Sequence, residues 1–159
     1  MTNQNFIRTQ LIKESQALYS TGFYFPTLMF VANGIETLGA FIDSKPLGAK
    51  AQSKKRFNKA LLELFPTSYH PLVEKDWLYK QMRCNLSHMC STGAFITLVA
   101  SPKHKTQHLK LLNNTRIICI AALLNDFIAA CHQVIQGLES GGFKQKAMAL
   151  TENASLISE

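Results

Sequence analysis

The sequence predicts a mainly α protein, an up-and-down helical bundle of about five helices with a small β-hairpin. Three observations predict it. Apolar residues recur at intervals of three and four over most of the chain, which gathers them on one face of a helix. Pro, Gly, Asn and Ser cluster between those runs and mark loops. Over residues 94–112 the apolar period shortens to that of a strand.

Asn5 to Tyr19 carries Phe6, Leu11, Ala17 and Leu18 among polar residues and reads as the first helix. Phe25 to Ile42 follows, with Leu28, Val31, Ala32, Ile35, Leu38, Gly39 and Ile42 at helical spacing. Pro26 suits its first turn, where a missing N–H costs nothing. "DSKPLGAKAQ" reads as a loop. Ser53 is the expected N-cap of Lys54 to Leu64, where Phe57, Ala60, Leu61 and Leu64 form one apolar stripe. "FPTSYHP" breaks that helix, and a further one is expected from Glu74 to Cys90. "AFITLVA" and "QHLKLL" read as two strands paired around the turn "SPKHKT". Asn114 is then the expected cap of the longest helix, Thr115 to Leu138. Ile118, Leu123 and Ala130 widen the apolar stripe of that helix and predict a central position or burial by another subunit. Gly137, Gly141 and Gly142 end it. Residues 1–142 are expected to form one domain and residues 143–159 a tail.

At 159 residues the chain can bury a core without disulfides or metals. It is 47% hydrophobic and 17% charged, ordinary for a soluble domain. "MTNQNFIRTQ" lacks the basic start and apolar run of a secretory signal, so a cytoplasmic location is expected. Phe23 to Ile42 and Ile117 to Cys131 are apolar but contain Pro26, Asn33, Glu36, Asn125 and Asp126, which fits buried helices better than membrane spans. Cys84, Cys90, Cys119 and Cys131 show no paired spacing and read as reduced core thiols. A formal charge of +7 favours polyanionic partners. No phosphate-binding glycine loop, nucleophile elbow or dinucleotide fingerprint occurs.

The segment "LYKQMRCNLSHMC" departs from a plain packing helix. On a regular helix Leu78, Met82, Leu86 and Met89 share a core sector, and Arg83 and His88 flank the opposite side about 140° apart. Cys84 and Ser87 lie between them, with Trp77 beside, and a tryptophan on that side predicts that something covers it. Arg83 and His88 fit a structural pair, the arginine bonding carbonyls or a carboxylate and the histidine satisfied at an interface. Cys84 and His88 have the i, i+4 spacing of metal ligands, but no second ligand pair accompanies them, so no metal is expected. Lys54, Lys55 and Lys59 form either a solvated face or a phosphate-contacting surface. "PKHKTQH", with His104 and His108, reads as a basic turn, and His132 near Asp126 has no nucleophile beside it. Glu36, inside an apolar helix, needs a partner, and Arg83 is one candidate.

"YKQMRCNLSH" resembles the R-x-x-x-x-H signature of HEPN domains, the helical domains named for higher eukaryotes and prokaryotes nucleotide-binding. The resemblance runs from about Phe30 to Leu138 and takes in Glu36, "KKRFNKALLELF", Trp77, Tyr79 and "NDFIAAC". It implies a homodimer whose motif residues line a shared cleft, a metal-independent endoribonuclease without cofactor, and a toxin–antitoxin or defence setting with an antitoxin-like protein partner. RNA or a nucleotide is the implied ligand, and no membrane is involved. It also implies that His88 transfers a proton and Arg83 stabilises phosphoryl charge, with Tyr79, Cys84, Asn85 and Ser87 in support. Cys84 stands where the family usually has a polar residue. The other reading is a non-catalytic helical dimerisation or interaction module.

Overall fold

The computed structural model describes residues 1–148, and these are mainly helical, with one small three-stranded sheet. Helix α1 begins at Asn3–Phe6, passes through a π-helical stretch, Ile7–Lys13, and ends with Glu14–Ser20. The Thr2 hydroxyl caps it by accepting the Asn5 N–H. Helix α2 is Tyr24–Ile42 and α3 is Ser53–Leu64. Helix α4 comprises a π-helical Tyr79–Cys84 and an α-helical Asn85–Met89, and α5 is Ile120–Glu139. The strands are β1, Ile96–Val99; β2, Leu111–Leu112; and β3, Thr115–Cys119.

α2 is the central element and packs against α1, α3, α4 and α5. Its stripe of Leu28, Val31, Ile35 and Leu38 meets Phe57 and Leu61 of α3, Met82 and Leu86 of α4, and Phe127 and Val134 of α5. Two glycines permit this crowding. A Cβ on Gly34 would stand 2.5 Å from the Phe127 ring, and one on Gly39 would stand 1.9 Å from the Arg56 carbonyl oxygen. By length and composition α2 could cross a membrane, yet its inward face is packed into this core.

Several expected boundaries shift for identifiable reasons. Ser53 is the first residue of α3 instead of its cap; Gln52 holds the cap position without a side-chain bond. The helix expected from Glu74 is interrupted, because Lys75 and Asp76 take φ of 52° and 58°, leaving a separate turn at Glu74–Asp76. Cys90, also left-handed, ends α4 after Met89. Met89 leaves the core stripe at 71% exposure.

The sheet differs most. "AFITLVA" and "QHLKLL" do contain strands, but they do not pair with each other. β3 lies between them, parallel to β1 and antiparallel to β2. The hairpin is β2–β3, closed by Asn113 and Asn114 at φ of 48° and 62°. Two successive positive φ values are what a tight primed turn requires, and asparagine tolerates them. Asn114 is therefore a turn residue, and Thr115 to Cys119, expected as helix, is strand. The helical period there was coincidental: Ile117, Ile118 and Cys119 are buried on both faces of a central strand. Leu123 and Ala130 of α5 are likewise covered within the chain, so the girth of this helix needs no second subunit.

Residues 143–148, expected as the start of a tail, lie against the bundle. Phe143 packs on the core, and a Cβ on Gly137 would meet its ring at 2.2 Å. Asn3 donates to the Lys146 carbonyl and accepts its N–H, at 2.9 and 2.6 Å. The Lys146 ammonium donates to the carbonyls of Asp43 and Lys45. Residues 149–159 of the expected tail lie outside the described residues.

Gly39→Ala should lower stability to urea by about 3 kcal/mol, because its methyl meets backbone that cannot rotate away. A loss below about 1 kcal/mol would show that α2 and α3 can separate without cost.

Candidate functional site

The motif helix α4 is positioned by Leu78, Met82 and Leu86, all fully buried. Its first part winds in π form, with i→i+5 bonding, a local widening common at functional sites. The chain leaving α4 returns across it, where the Gly93 N–H donates to the Gln81 carbonyl at 2.7 Å. Gly93 also lies against the side chains of Gln81 and Asn85, with no room for a Cβ.

Arg83 donates from Nε to Glu36 Oε2 at 2.8 Å, with both side chains about one-fifth exposed (19% and 21%). This is the partner that the carboxylate within α2 required. The guanidinium carbon also lies 5.9 Å from the Tyr79 ring centre, within cation–π range. Burial, then a hydrogen bond with Cys84, holds the Tyr79 phenol above its usual range. Arg83 is thus held on two sides, while its Nη1 and Nη2 groups make no hydrogen bond among the described residues. Those groups can still reach an anion.

The other expected site residues disperse. His88 is exposed and makes no hydrogen bond among the described residues; nothing joins it to Arg83 within one chain. Ser87 is exposed and 3.5 Å from Asn33 Oδ1. Asn85 donates from Nδ2 to the Gln81 carbonyl at 3.5 Å. Trp77, expected to await a cover, packs against the chain's own core. Lys54 pairs with Asp76 at 3.1 Å and Lys59 pairs with Glu63, so of the three expected phosphate-contacting lysines Lys55 alone has no acidic partner among the described residues. No group of three or more His, Cys, Asp or Glu residues that could hold a metal occurs among the described residues.

A second polar cluster was missed. His108 is buried, with its side chain 8% exposed, and not part of an exposed basic turn. Its Nδ1 accepts the Cys119 N–H at 3.0 Å, which leaves the proton of a neutral ring on Nε2. His108 Nε2–H then donates to the Tyr69 hydroxyl at 2.7 Å, and that hydroxyl donates to Asp126 Oδ2 at 2.7 Å. Every proton in the line has one acceptor. Protonating His108 would set Nδ1–H against the Cys119 N–H, so burial, which lowers the His108 pKa to about 4, acts in the direction the network favours. Desolvation raises the Asp126 carboxyl, partly offset by the Tyr69 bond. Tyr69 is 39 residues from His108 and 57 from Asp126, with no local spacing to reveal it.

Searches of protein families, curated proteins and solved structures find no match for this chain.

The buried imidazole should make stability pH-dependent. The unfolded state takes up a proton near pH 6.5 that folded His108 refuses until about pH 4. Stability should therefore fall as pH drops from 6.5 towards 4, by at most about 1.4 kcal/mol per unit. Asp126, with its raised pKa, works in the opposite sense and softens the slope. Urea midpoints measured across this range should flatten in His108→Gln; an equal slope in that variant would assign the effect elsewhere. Tyr69→Phe should cost about 1–3 kcal/mol at pH 7, by leaving the buried His108 Nε2–H and the part-exposed Asp126 carboxylate without their shared partner.

Proposed function

We propose that the protein is a HEPN-like RNA-binding domain that cleaves RNA without metal, in a cleft shared by two copies of the chain. The observation that carries this reading is the state of Arg83, oriented by Glu36 and Tyr79 with its Nη edge left open. A guanidinium fixed in this way can bind phosphoryl oxygens through its fork without first ordering itself. His88, exposed five residues further along the same helix, is the accessible proton-transfer group. Because one chain leaves the two apart, the reaction draws His88 from one copy and Arg83 from the other. In that reaction the ribose 2′-oxygen attacks phosphorus and loses its proton to His88. The bond to the 5′-oxygen breaks, that oxygen takes up a proton from water, and the products are a 2′,3′-cyclic phosphate and a 5′-hydroxyl. The cation must overcome the charge of Glu36, so a second phosphate contact from the partner copy fits this scheme.

A second reading, a non-catalytic interaction module, is favoured by a different observation. Met89 at the end of α4, with Phe95, Leu111 and Leu112 at the sheet, are each more than half exposed, at 54–71%. Thr115 of β3 pairs with Leu112 of β2, and on the other side of β3 the Phe95 carbonyl accepts the Arg116 N–H at 2.8 Å. The same surface can serve the dimer of the first reading. A monomer at high micromolar concentration in light scattering would remove the shared cleft, since a stable interface buries at least about 1,000 Å².

Cleavage of single-stranded RNA should survive EDTA and leave cyclic phosphate ends. His88→Ala should slow it by about 10²–10⁴-fold. Arg83→Lys should also impair it, because an ammonium lacks the fork. Both variants must keep their helical content and assembly mass. Activity persisting in the double variant Arg83→Ala, His88→Ala would defeat the mechanism, and RNA binding without cleavage in the parent protein would leave only the binding half.

A further inference from the structure

The sheet leaves β1 at an edge, paired with β3 on one side. In a parallel ladder the backbone groups of successive residues turn to opposite sides of the strand. The Phe95 carbonyl accepts the Arg116 N–H, so Phe95, Thr97 and Val99 face β3, and Ile96 and Leu98 face away from it. The outward Ile96 N–H is taken by the Gly93 carbonyl at 3.2 Å. Further along, the Ala100 carbonyl accepts the Tyr19 hydroxyl at 3.1 Å. Between these points the Ile96 carbonyl and both backbone groups of Leu98 have no hydrogen-bond partner among the described residues. Edge strands are usually guarded by a charge, a proline or a bulge. Ile96–Val99 reads ITLV, with no charge and no proline. We propose that an extended, acidic segment of another protein adds to this edge as a fourth strand.

Charge selects the partner. No Asp or Glu occurs from Trp77 to Asn125, a stretch that holds α4, all three strands and the start of α5. Arg116 lies opposite Ile96 in the ladder, and Lys103 and Lys105 follow β1 directly. None of these three has an acidic partner among the described residues. A second copy would bring an equally cationic edge to the same place, and like charges brought together oppose that pairing. A nucleic-acid strand offers mainly acceptors along its phosphates, whereas two of the three open groups are carbonyls and need donors. A peptide backbone supplies both in alternation.

Side chains on the added strand alternate between two faces. A residue beside Leu98, which packs partly buried against the core, is best apolar. Its neighbours lie on the face of Thr97 and Phe95, both exposed, and carry the acidic groups. Main-chain bonds then give affinity, and the alternating side chains give specificity. The proposal rests on the interaction-module reading for this exposed surface, and it uses neither Arg83 nor His88.

Fluorescence anisotropy and amide hydrogen exchange on the full chain test it, with a labelled, end-blocked synthetic peptide of alternating valine and glutamate as probe. The peptide should bind and should slow exchange of the Leu98 N–H. The same peptide N-methylated at alternate residues, without donors along one edge, should bind about tenfold more weakly, and so should a peptide of alternating valine and lysine. Leu98→Pro removes the outward donor and no bond to β3, and should weaken binding similarly. Thr97→Glu, at an exposed position, sets like charge against the probe and keeps the assay decisive where proline unfolds the sheet. Absence of binding, or equal binding of the N-methylated peptide, would overturn the added strand. Protection at Leu111 and Leu112 instead of Leu98 would overturn it too, leaving the interaction-module reading in place with β2 as its edge. Leu98 protection that grows with protein concentration alone would assign the edge to a second copy, and protection by single-stranded RNA would assign it to nucleic acid. Either result overturns the acidic partner.

Discussion

The buried guanidinium of Arg56 is the constraint on which much of the architecture depends. It donates to the Asp43 carboxylate at 2.8 Å and to the carbonyls of Pro46 and Leu47, both at 2.7 Å. A buried cation is tolerated only when its charge and its donors are met, and here one carboxylate and two carbonyls meet them. The bonds fix the loop between α2 and α3, which otherwise has little apolar content to hold it. They also form where Gly39 lets the backbone of α3 touch α2, so the clamp and the helix contact support one another. Lys146 adds a second cation to Asp43 and ties the last described residues to the same loop.

Polar groups inside the bundle are handled in two different ways. Around His108, each donor has one acceptor in the line from Cys119 through Tyr69 to Asp126, and the result is a neutral ring locked in one tautomer. Such a network specifies how the loop before β2 sits on α5. Around Arg83 the account is left open. The guanidinium is held by Glu36 and Tyr79, and its Nη edge makes no hydrogen bond among the described residues. That contrast, more than the presence of an arginine and a histidine on one helix, separates a group available for binding from one given to structure.

Much of the helical skeleton was legible in the order of residues, because amphipathic helices repeat their apolar positions locally. The stripes of α2 and α3 are buried where their spacing placed them, and the need of Glu36 for a partner followed from a carboxylate within an apolar run. The turn chemistry was visible too, though read for the wrong purpose: the paired asparagines close a hairpin and do not cap a helix. What misled was a strand buried on both faces running directly into a helix. Its continuous apolar residues satisfy either period, so the junction at Cys119 and Ile120 could not be placed from spacing alone.

The sequence by itself therefore determined the helical class, the core stripes of α2 and α3, and the chemical identity of the motif residues. These properties depend on neighbours within a few positions along the chain. Tertiary structure decided which polar groups meet. It sent Lys54 to Asp76, Lys59 to Glu63 and Asn85 to Gln81, and it built the Tyr69, His108 and Asp126 line from three distant segments. It also placed β3 between two strands that precede it in sequence. Pairing across long separations is set by how packed elements cross and by where loops can close. No local period encodes either.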